Sequence, residues 1–456
     1  MTEVQPIPAS LPAGEDEPSS RKIARSLRAN AIRIFPPEAF EQEVVCRRIF
    51  GRRQIIMNRS AGIQHILVDN WENYRRTAAG IRILRPLLGQ GLLLSQGEDW
   101  RRQRRSLAPA FAPRTIPVLT RHIARAANVA VAKLSAAGDA PVDLLAAMQF
   151  LALDIAAASM FSLEMDRYGA ALRRLITDYA ARLGRPSLLD FLLPAWVPSP
   201  RDLLRWGFRR RWLGLIRQII AARRAQGWAE APRDLFDLMA TAEDPESGAL
   251  FPPARLADEV ATMIVAGHET TAVALFWSLF LLAGAPEIQE RLAEEVAGAD
   301  LEPDNTAGAL PGLTYCRAVV QEALRLYPPA FTLGRLAIAD DIAGGVPIKA
   351  GTIVLIAPWV LHRHTRLWPQ PEVFDPTRFI PGALPPDRFA YLPFGIGPRV
   401  CIGAQFALTE ATLVLATLIQ NFRVERADDA PVSVRAIVTT QPDRPTPFLL
   451  HPRRGA

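Results

Sequence analysis

One cysteine in this sequence lies in a setting that suits a metal ligand. Cys401 is flanked by three glycines in the segment FGIGPRVCIG, residues 394–403. Closely spaced glycines let a chain turn around a sulfur atom and present backbone N–H donors to it. Arg399 adds a cation two residues before the cysteine, where it could bind a carboxylate. The segment therefore predicts a thiolate site beside an anion-binding side chain.

A helix is predicted directly after this segment. Residues 404–422, AQFALTEATLVLATLIQNF, form an uninterrupted run of helix formers, so Cys401 would precede a helix N-terminus. The positive end of a helix favours an anionic thiol, and we expect the pKa of Cys401 to be lowered. A buried structural cysteine in a glycine-rich loop is the alternative for this residue taken alone.

The cysteine segment resembles the haem-binding loop of the cytochrome P450 superfamily. It matches the pattern FxxGxRxCxG at every specified position. The resemblance implies haem b, iron protoporphyrin IX, with the Cys401 thiolate as its axial ligand. It also implies that Phe394, Gly395, Arg399 and Gly403 contribute to the cofactor site.

A second motif points to the same cofactor. Trp100 and Arg104 are four residues apart in residues 97–111, so they would share one helix face. In the family this WxxxR pair contacts a haem propionate, and Arg335 falls where members place another propionate contact. A basic helix with a tryptophan in a packing role is the alternative for this motif alone.

A long helix is predicted from Pro253 to Ala285, roughly 50 Å at 1.5 Å per residue. Its segment AGHETT, residues 266–271, matches the AGxxT signature of the family. The resemblance places Ala266 and Gly267 at the substrate and oxygen pocket. We expect the glycine and the following hydroxyl group to loosen the helix locally.

Two residues of AGHETT are of the types that deliver protons. Thr270 offers a hydroxyl that can relay protons to oxygen, and Glu269, expected to face solvent, could resupply the relay through water. A threonine capping a kink beside a surface glutamate is the alternative. His268 is expected to be a groove-lining or satisfied polar residue, and not an iron ligand.

A structural cluster is implied between these motifs. Glu322 and Arg325 stand at i and i+3 of a predicted helix and match the family's ExxR motif, while FDPTRF, residues 374–379, supplies Arg378. The resemblance implies a buried Glu–Arg–Arg cluster that supports the cysteine loop. An ExxR motif alone is usually a surface ion pair of little energetic weight.

The remaining sequence predicts one large domain. The 456 residues contain 49% apolar and 22% charged residues, with no linker-like stretch. We expect a disordered tail over residues 1–25 and a single haem domain over 26–456, mainly α with small β-sheets. A helix-like stretch at 26–50, a strand at 51–58 and a helix from residue 60 are predicted, and the resemblance places residues 438–441 near substrate.

The cysteines and the N-terminus predict a cytoplasmic protein. Cys46, Cys316 and Cys401 are too few and scattered for a disulfide framework, which favours a reducing compartment. The polar, proline-rich first twenty residues lack the pattern of a signal peptide or membrane anchor.

The charge balance favours an acidic protein partner. The net charge is +7, yet only three of the 53 basic residues are lysines. This bias carries no nucleic-acid-binding motif. The resemblance implies electrons from a separate acidic ferredoxin or flavodoxin with its NAD(P)H-dependent reductase, and Arg101 and Arg105 are predicted to attract it.

Together these motifs predict a haem-thiolate monooxygenase. It would insert one oxygen atom from O2 into a C–H bond of a hydrophobic fatty acid, terpenoid or aromatic compound. A peroxide-driven peroxygenase is an alternative, although that group characteristically lacks the acid–alcohol pair of Glu269 and Thr270. A non-catalytic haem sensor or carrier is another, and it would show no substrate-dependent NADH consumption.

Overall fold

The computed structural model of this protein describes most of the chain. The described residues are 2–3, 26, 29–49, 51–162, 168–185, 187, 189–190, 193, 197–227, 232–244 and 246–453. The tail predicted over residues 1–25 lies outside these ranges except for residues 2–3. The domain boundary at residue 26 therefore stays a prediction.

Helices dominate the described part of the chain. The α-helices are α1 Ser60–Gln64, α2 Ala78–Leu88, α3 Gly97–Leu107, α4 Ile116–Ser135, α5 Leu144–Phe161, α6 Gly169–Asp178, α7 Pro200–Ala225, α8 Leu235–Ala240, α9 Pro253–Ala283, α10 Pro286–Val296, α11 Thr306–Ala309, α12 Thr314–Leu326, α13 Pro358–Leu361 and α14 Ala404–Asn421. The mainly α class predicted from the sequence is confirmed.

Strands form small sheets around the helical core. They are β1 Thr2–Glu3, β2 Val44–Ile49, β3 Arg52–Met57, β4 Tyr74–Arg76, β5 Val142–Asp143, β6 Leu333–Ala337, β7 Asp341–Ala343, β8 Val346–Ile348, β9 Ile353–Ile356, β10 Val373–Phe374, β11 Phe422–Arg426, β12 Val434–Ala436, β13 Thr440–Pro442 and β14 Pro447–Pro452. The largest sheet has the order β2–β3–β9–β6–β4, in which β3 and β9 are parallel. Smaller sheets pair β11–β14–β5, β12–β13, β7–β8 and β1–β10.

The helix α9 is the central element of the core. Its 31 residues span about 46 Å, and it begins at Pro253, whose fixed φ suits the first helical turn. Buried residues between 272 and 282 join an apolar cluster with α5, α12 and α14. Those between 256 and 264 join a second cluster with α6 and α7. The helix thus connects both halves of the core.

The N-terminal region differs from the sequence prediction. The helix predicted over residues 26–50 is wrong for most of its length. Ser26 and Ala29 are helical, but 3-10 turns follow at Ala31–Ile34 and Pro37–Phe40, and β2 occupies Val44–Ile49. The β-branched side chains of β2 pair along β3, and this tertiary pairing outweighs local helix propensity. The strand predicted at 51–58 and the helix predicted from residue 60 are confirmed as β3 and α1.

Two helices of the described chain are long and apolar enough to cross a membrane. They are α5 and α9, and 61% and 67% of their most apolar windows are buried inside the protein. Core helices of water-soluble proteins have the same properties, so this is weak evidence for a membrane span. Residues 271–279 of α9 are all buried within the protein.

Candidate active site

The Cys401 loop is formed by tight backbone turns. Gly395 and Gly397 have φ angles of +70° and +76°, a region that glycine enters without steric cost. A Cβ atom at Gly397 would clash with the Leu67 carbonyl oxygen, so the loop packs directly against the N-terminal half of the chain. The Cys401 N–H donates to the Phe394 carbonyl over 2.9 Å and closes the loop.

The Cys401 thiol is accessible to solvent, but the surrounding protein restricts its hydration. Burial raises the pKa of the thiol, while the Gly403 N–H and the nearby Arg104 charge lower it. The expectation of a lowered pKa is therefore wrong for the protein alone, because desolvation outweighs the effect of the helix that follows. Ligation of a metal ion would deprotonate the thiol in any case.

The predicted residues Trp100 and Arg399 contact each other. The Arg399 guanidinium carbon lies 4.0 Å from the centroid of the Trp100 ring. Trp100 is only 5% exposed and packs edge-on against Trp71 at 5.1 Å. The Nη1 atom of Arg399 donates a hydrogen bond to the Ser95 carbonyl over 2.8 Å. A cation–π contact therefore joins the cysteine loop to α3.

A second arginine lies beside the predicted Arg335. Strands β4 and β6 place Arg76 directly opposite Arg335, and like charges in such cross-strand pairs repel each other. We refer to Arg76, Arg104, Arg335 and Arg399 as the arginine cluster. None of the four forms an ion pair with an acidic side chain of the described residues.

The lowered pKa values of this cluster agree with a positive charge that the described residues do not balance. Burial, together with the charges of neighbouring arginines, lowers the pKa of Arg335 and of Arg399 to about 9. Burial alone lowers the pKa of Arg76 to about 10. It also lowers the pKa of Arg104, although the nearby Cys401 opposes this shift. A cluster of one buried and three partly buried cations without acidic partners favours the binding of an anion from outside the chain.

A cavity of about 410 Å³ borders the arginine cluster. Its walls include Trp71 and Tyr74 together with Arg76, Arg335 and Arg399. A further arginine and one glutamate also line it, so the space combines aromatic surface with four cations and one carboxylate. This net positive lining suits a flat organic ligand that carries carboxylates.

The exposed arginines of α3 are already paired. Arg101 contacts Glu72 and Glu98. Arg105 contacts Glu246 and lies 3.7 Å from Asp244. Both arginines are therefore paired in the unbound protein, and their attraction of an acidic partner stays a prediction.

The AGHETT segment is continuous α-helix. The Thr270 hydroxyl donates to the Ala266 carbonyl over 2.6 Å, one turn earlier. The predicted local loosening is therefore wrong, because the hydroxyl adds to the helical hydrogen bonds without opening them. Ala266 is exposed although it lies in the middle of a core helix, and a Cβ atom at Gly267 would meet no atom within 4 Å. This face of α9 borders open space.

Glu269 does not face solvent as expected. Its Oε1 atom accepts hydrogen bonds from the Thr439 hydroxyl at 3.1 Å and from the Gln441 side-chain amide. Burial raises the pKa of Glu269, and these two donors oppose the rise. The reason for the difference is the hairpin formed by β12 and β13, which covers this turn of α9.

His268 lies on the opposite side of α9 from the open face. It is buried, and its Nε2 atom is 2.9 Å from the Gln149 carbonyl oxygen on α5. Burial lowers its pKa to about 4, so the ring is neutral at physiological pH. This arrangement agrees with the packing role expected for His268.

The three members of the predicted structural cluster meet in the core. Glu322 and Arg325 are both fully buried and form two hydrogen bonds of 2.7 Å. The Arg378 Nε atom lies 3.6 Å from Glu322. Arg325 also donates to the carbonyls of His362 and Val373. The cluster therefore ties α12 to the segment that leads to the cysteine loop.

His362 is a further connection that the sequence did not indicate. Its Nε2 accepts from the Leu392 N–H over 2.8 Å, and its Nδ1 lies 3.1 Å from the Arg325 carbonyl oxygen. Since Nε2 is the acceptor, Nδ1 carries the proton. Burial and the Arg325 charge lower the pKa of His362 to about 3, which keeps this tautomer neutral.

Comparison with known proteins identifies the family. The family model for cytochrome P450 matches residues 39–446. The chain belongs to the cytochrome P450 family.

Similar proteins extend this assignment. The chain is 33% identical over 347 residues to cyclooctat-9-en-7-ol 5-monooxygenase of Streptomyces melanosporofaciens, covering 75% of this chain and 74% of that protein. It is 31% identical to leukotriene-B4 omega-hydroxylase 3 of Mus musculus, covering 76% and 71%. A crystal structure of a cytochrome P450DA mutant heme domain superposes with a TM-score of 0.82 at 25% identity, covering 99% and 98%. The protein is a cytochrome P450 monooxygenase.

The residues present fit the haem that this family carries. Haem has two propionates, and the arginine cluster is a set of buried and partly buried cations that lacks acidic partners within the described chain. Among the described residues no three His, Cys, Asp or Glu side chains converge on a common metal site. A single thiolate such as Cys401 suits an iron that a porphyrin already holds.

Sequence reasoning missed Arg76, and it placed Thr439 and Gln441 near substrate without indicating their contact with Glu269. Arg76 lacks a motif of its own, and only its register opposite Arg335 places it in the arginine cluster. The spacing of Thr439 and Gln441 weakly indicates that their side chains point to the same side, since alternate residues of a strand share one face. That they face Glu269, about 170 residues away, appears only in the fold.

Proposed function

We propose that this cytochrome P450 inserts one oxygen atom from O2 into a C–H bond of a hydrophobic small molecule. The observation that carries the proposal is the combination of a cysteine loop with an unbalanced arginine cluster beside it. The names of two relatives, a cyclooctat-9-en-7-ol 5-monooxygenase and a leukotriene-B4 omega-hydroxylase, support oxygenation of largely apolar carbon skeletons.

Cys401 is the proposed axial ligand of haem b. The tight turns at Gly395 and Gly397 would hold the sulfur in place, and the Gly403 N–H would donate to it. Haem, when bound, supplies the activation of O2 and the transfer of one oxygen atom to carbon. A donor to the sulfur moderates its electron release to iron, which tunes the reduction potential.

The arginine cluster is proposed to bind the propionates. Two propionates would balance two of the four cations and replace the water that these side chains lose on burial. Trp100 would orient Arg399 through the ring contact of 4.0 Å, and the N–H groups that do not donate to Ser95 would be available to the carboxylate. Because β4 and β6 are hydrogen-bonded neighbours, the Arg76–Arg335 pair would hold a fixed spacing.

Thr270 and Glu269 are proposed to deliver protons. The Thr270 hydroxyl now donates to the Ala266 carbonyl, so it would rotate to donate its proton to oxygen in the pocket and then regain one. Glu269, whose pKa is raised by burial, retains a proton at higher pH than an exposed carboxylic acid. Ala266 and Gly267 would border the substrate on the open face of α9.

The electrons are proposed to come from a separate protein. The sequence contains no flavin or iron–sulfur motif, and its net charge of +7 favours an acidic ferredoxin or flavodoxin. Because Arg101 and Arg105 are paired in the unbound protein, the overall field of the molecule would add to their attraction of this partner. A cytoplasmic location is proposed because the few scattered cysteines favour a reducing compartment.

A substrate screen tests the proposal. The haem-loaded protein is titrated with a library of fatty acids, terpenoids and aromatic compounds, and the low-spin to high-spin shift is recorded. Hits are then incubated with 18O2, NADPH and a surrogate ferredoxin and reductase. We expect one 18O atom in the product. Product formed only with added hydrogen peroxide would indicate a peroxygenase, and spin shifts without any turnover would indicate a sensor or carrier. Either result would overturn the proposal.

A further inference from the structure

The β12–β13 hairpin makes a polar contact with the proton-delivery segment of α9. Strand β13 runs from Thr440 to Pro442 and pairs with β12, with Ala436 opposite Thr440. Alternate residues of an extended chain point to the same side. Thr439 and Gln441 accordingly both reach Glu269, while the Thr440 hydroxyl donates in another direction, to the Pro328 carbonyl.

The hairpin is fixed against α9 between these two contacts. The Trp277 indole N–H donates to the Thr440 carbonyl over 2.7 Å, and both Trp277 and Thr440 are fully buried. Trp277 lies two turns after Glu269 on the same helix and stacks on Tyr327 with ring centroids 3.9 Å apart. Because Thr440 is held by Trp277 and Pro328, its neighbours Thr439 and Gln441 have little freedom to move away from the carboxyl group.

The two oxygens of Glu269 are in different environments. Both hairpin donors bind Oε1, so this atom acts only as an acceptor. Within the described part of the chain, Oε2 receives no hydrogen bond. A proton on the neutral acid would therefore sit on Oε2, the oxygen that can exchange it with water or with a neighbouring hydroxyl.

We infer that Thr439 and Gln441 are positioning residues that hold Glu269 by Oε1 and leave Oε2 to carry the proton. The inference rests on the proposed role of Glu269 in proton delivery. Their effect on catalysis passes through the carboxyl group to which both donate. Without the two donors, the carboxyl would adopt other rotamers and deliver protons less often.

A double-mutant cycle separates positioning from packing. Thr439→Val keeps the shape of the side chain and removes the hydroxyl, and it is made both in the parent protein and in Glu269→Gln. The readout is product formed per NADPH, with a substrate found by the spin-shift screen. We expect Thr439→Val to lower this ratio about two- to tenfold in the parent, which corresponds to the net free energy of one hydrogen bond. In the Glu269→Gln background, Thr439→Val should cause no further decrease. An equal loss in both backgrounds would overturn the inference.

Companion variants sharpen the result. Thr439→Ser retains the hydroxyl and should keep the parental ratio, and Gln441→Leu should behave as Thr439→Val does. Thr446→Val is the matched control, since Thr446 is a buried threonine near the hairpin base whose hydroxyl donates to Arg444. Substrate affinity should be unaltered in all of them. A loss in Thr446→Val as large as in Thr439→Val would assign the effect to packing and overturn the inference.

A spectroscopic measurement tests the contact without turnover. The infrared carbonyl band of the Glu269 carboxylic acid, identified by its loss in Glu269→Gln, should move to higher frequency in Thr439→Val and Gln441→Leu because Oε1 loses a donor. An unmoved band would overturn the inference even if the enzyme is active. If the band moves but the parent protein forms no oxygenated product, the proposed function fails while the positioning contact stands.

Discussion

Arg76 and Arg335 are direct cross-strand partners on β4 and β6, and neither has an acidic neighbour among the described residues. Such a pair destabilises a sheet in the absence of an anion. With propionates bound, the same pair would be stabilising. The energetic sign of this contact therefore depends on the cofactor.

Arg76→Leu should accordingly have opposite effects on the two forms of the protein. In the apoprotein, removing one of two opposed buried cations should raise the free energy of unfolding by about 1 kcal/mol. In the haem-loaded protein, losing a propionate contact should lower it by about 1–3 kcal/mol. Denaturant unfolding of both forms measures the two values. Arg52→Leu, at the exposed end of β3, is the control, and a change of the same sign in both forms would contradict the prediction.

Cys401→Ser should abolish the thiolate signature in the reduced carbonyl spectrum. A serine hydroxyl is mostly protonated and is a poor ligand for iron. Cys46→Ser and Cys316→Ser should retain the signature, because Cys46 is exposed on β2 and the buried Cys316 bonds to the Thr412 carbonyl. A Cys401→Ser protein with both the parental spectrum and activity would show that another residue is the ligand.

Thr270→Ala should divert electrons from product to hydrogen peroxide. The hydroxyl that now donates to Ala266 is the proposed proton carrier, and the loss of a positioned proton donor costs about 10²- to 10⁴-fold in the step it serves. Product and peroxide formed per NADPH are measured together with substrate affinity. Thr270→Ser should restore much of the coupling. Unchanged coupling in Thr270→Ala would mean that the hydroxyl has a structural role.

Glu259 should make the protein less stable as the pH rises. This residue of α9 is fully buried, accepts a hydrogen bond from the Leu92 N–H over 2.9 Å, and has a pKa raised to about 8 by burial. Between the unfolded pKa near 4.5 and about 8, the folded state binds more protons than the unfolded state. The contribution of Glu259 to the free energy of unfolding is therefore full below pH 4.5. It decreases as the pH rises toward 8, by at most about 1.4 kcal/mol per pH unit.

The variant Glu259→Gln isolates this contribution. Denaturant midpoints of the parent and the variant are compared between pH 5.5 and 7.5. We expect the parent to lose stability relative to Glu259→Gln across this range. Parallel curves would show that Glu259 has the same charge in the folded and unfolded states over this interval, which would contradict its raised pKa.

The sequence predicts the parts of this protein whose residues are close together in the chain. The Cys401 loop, the helix α14 and the ExxR pair depend on spacings of a few residues, and their types are visible in the sequence. The arginine cluster depends on strand register, and the Glu269 contacts depend on a hairpin about 170 residues away. Local spacing carries no information on either.

Local reasoning also failed where tertiary forces oppose it. The helix after Cys401 favours a low thiol pKa, but burial has the larger effect. The residues of β2 lie in a stretch that was predicted to be helical, and pairing with β3 determines their conformation. The sequence does not show that Arg101 and Arg105 of α3 form ion pairs, because their partners include Glu72 and Glu246, which lie outside this helix.

The parallel pairing of β3 with β9 has a consequence for synthesis on the ribosome. Gln54 pairs with Ile353, about 300 residues later. At roughly 5–20 residues per second, β9 is made about 15–60 s after β3. During that interval the nascent chain presents an open edge of β3, with apolar side chains such as Ile55 and Ile56, to other molecules. Chaperone dependence during translation would therefore be concentrated on this first hairpin, long before the last eighth of the chain delivers the cysteine.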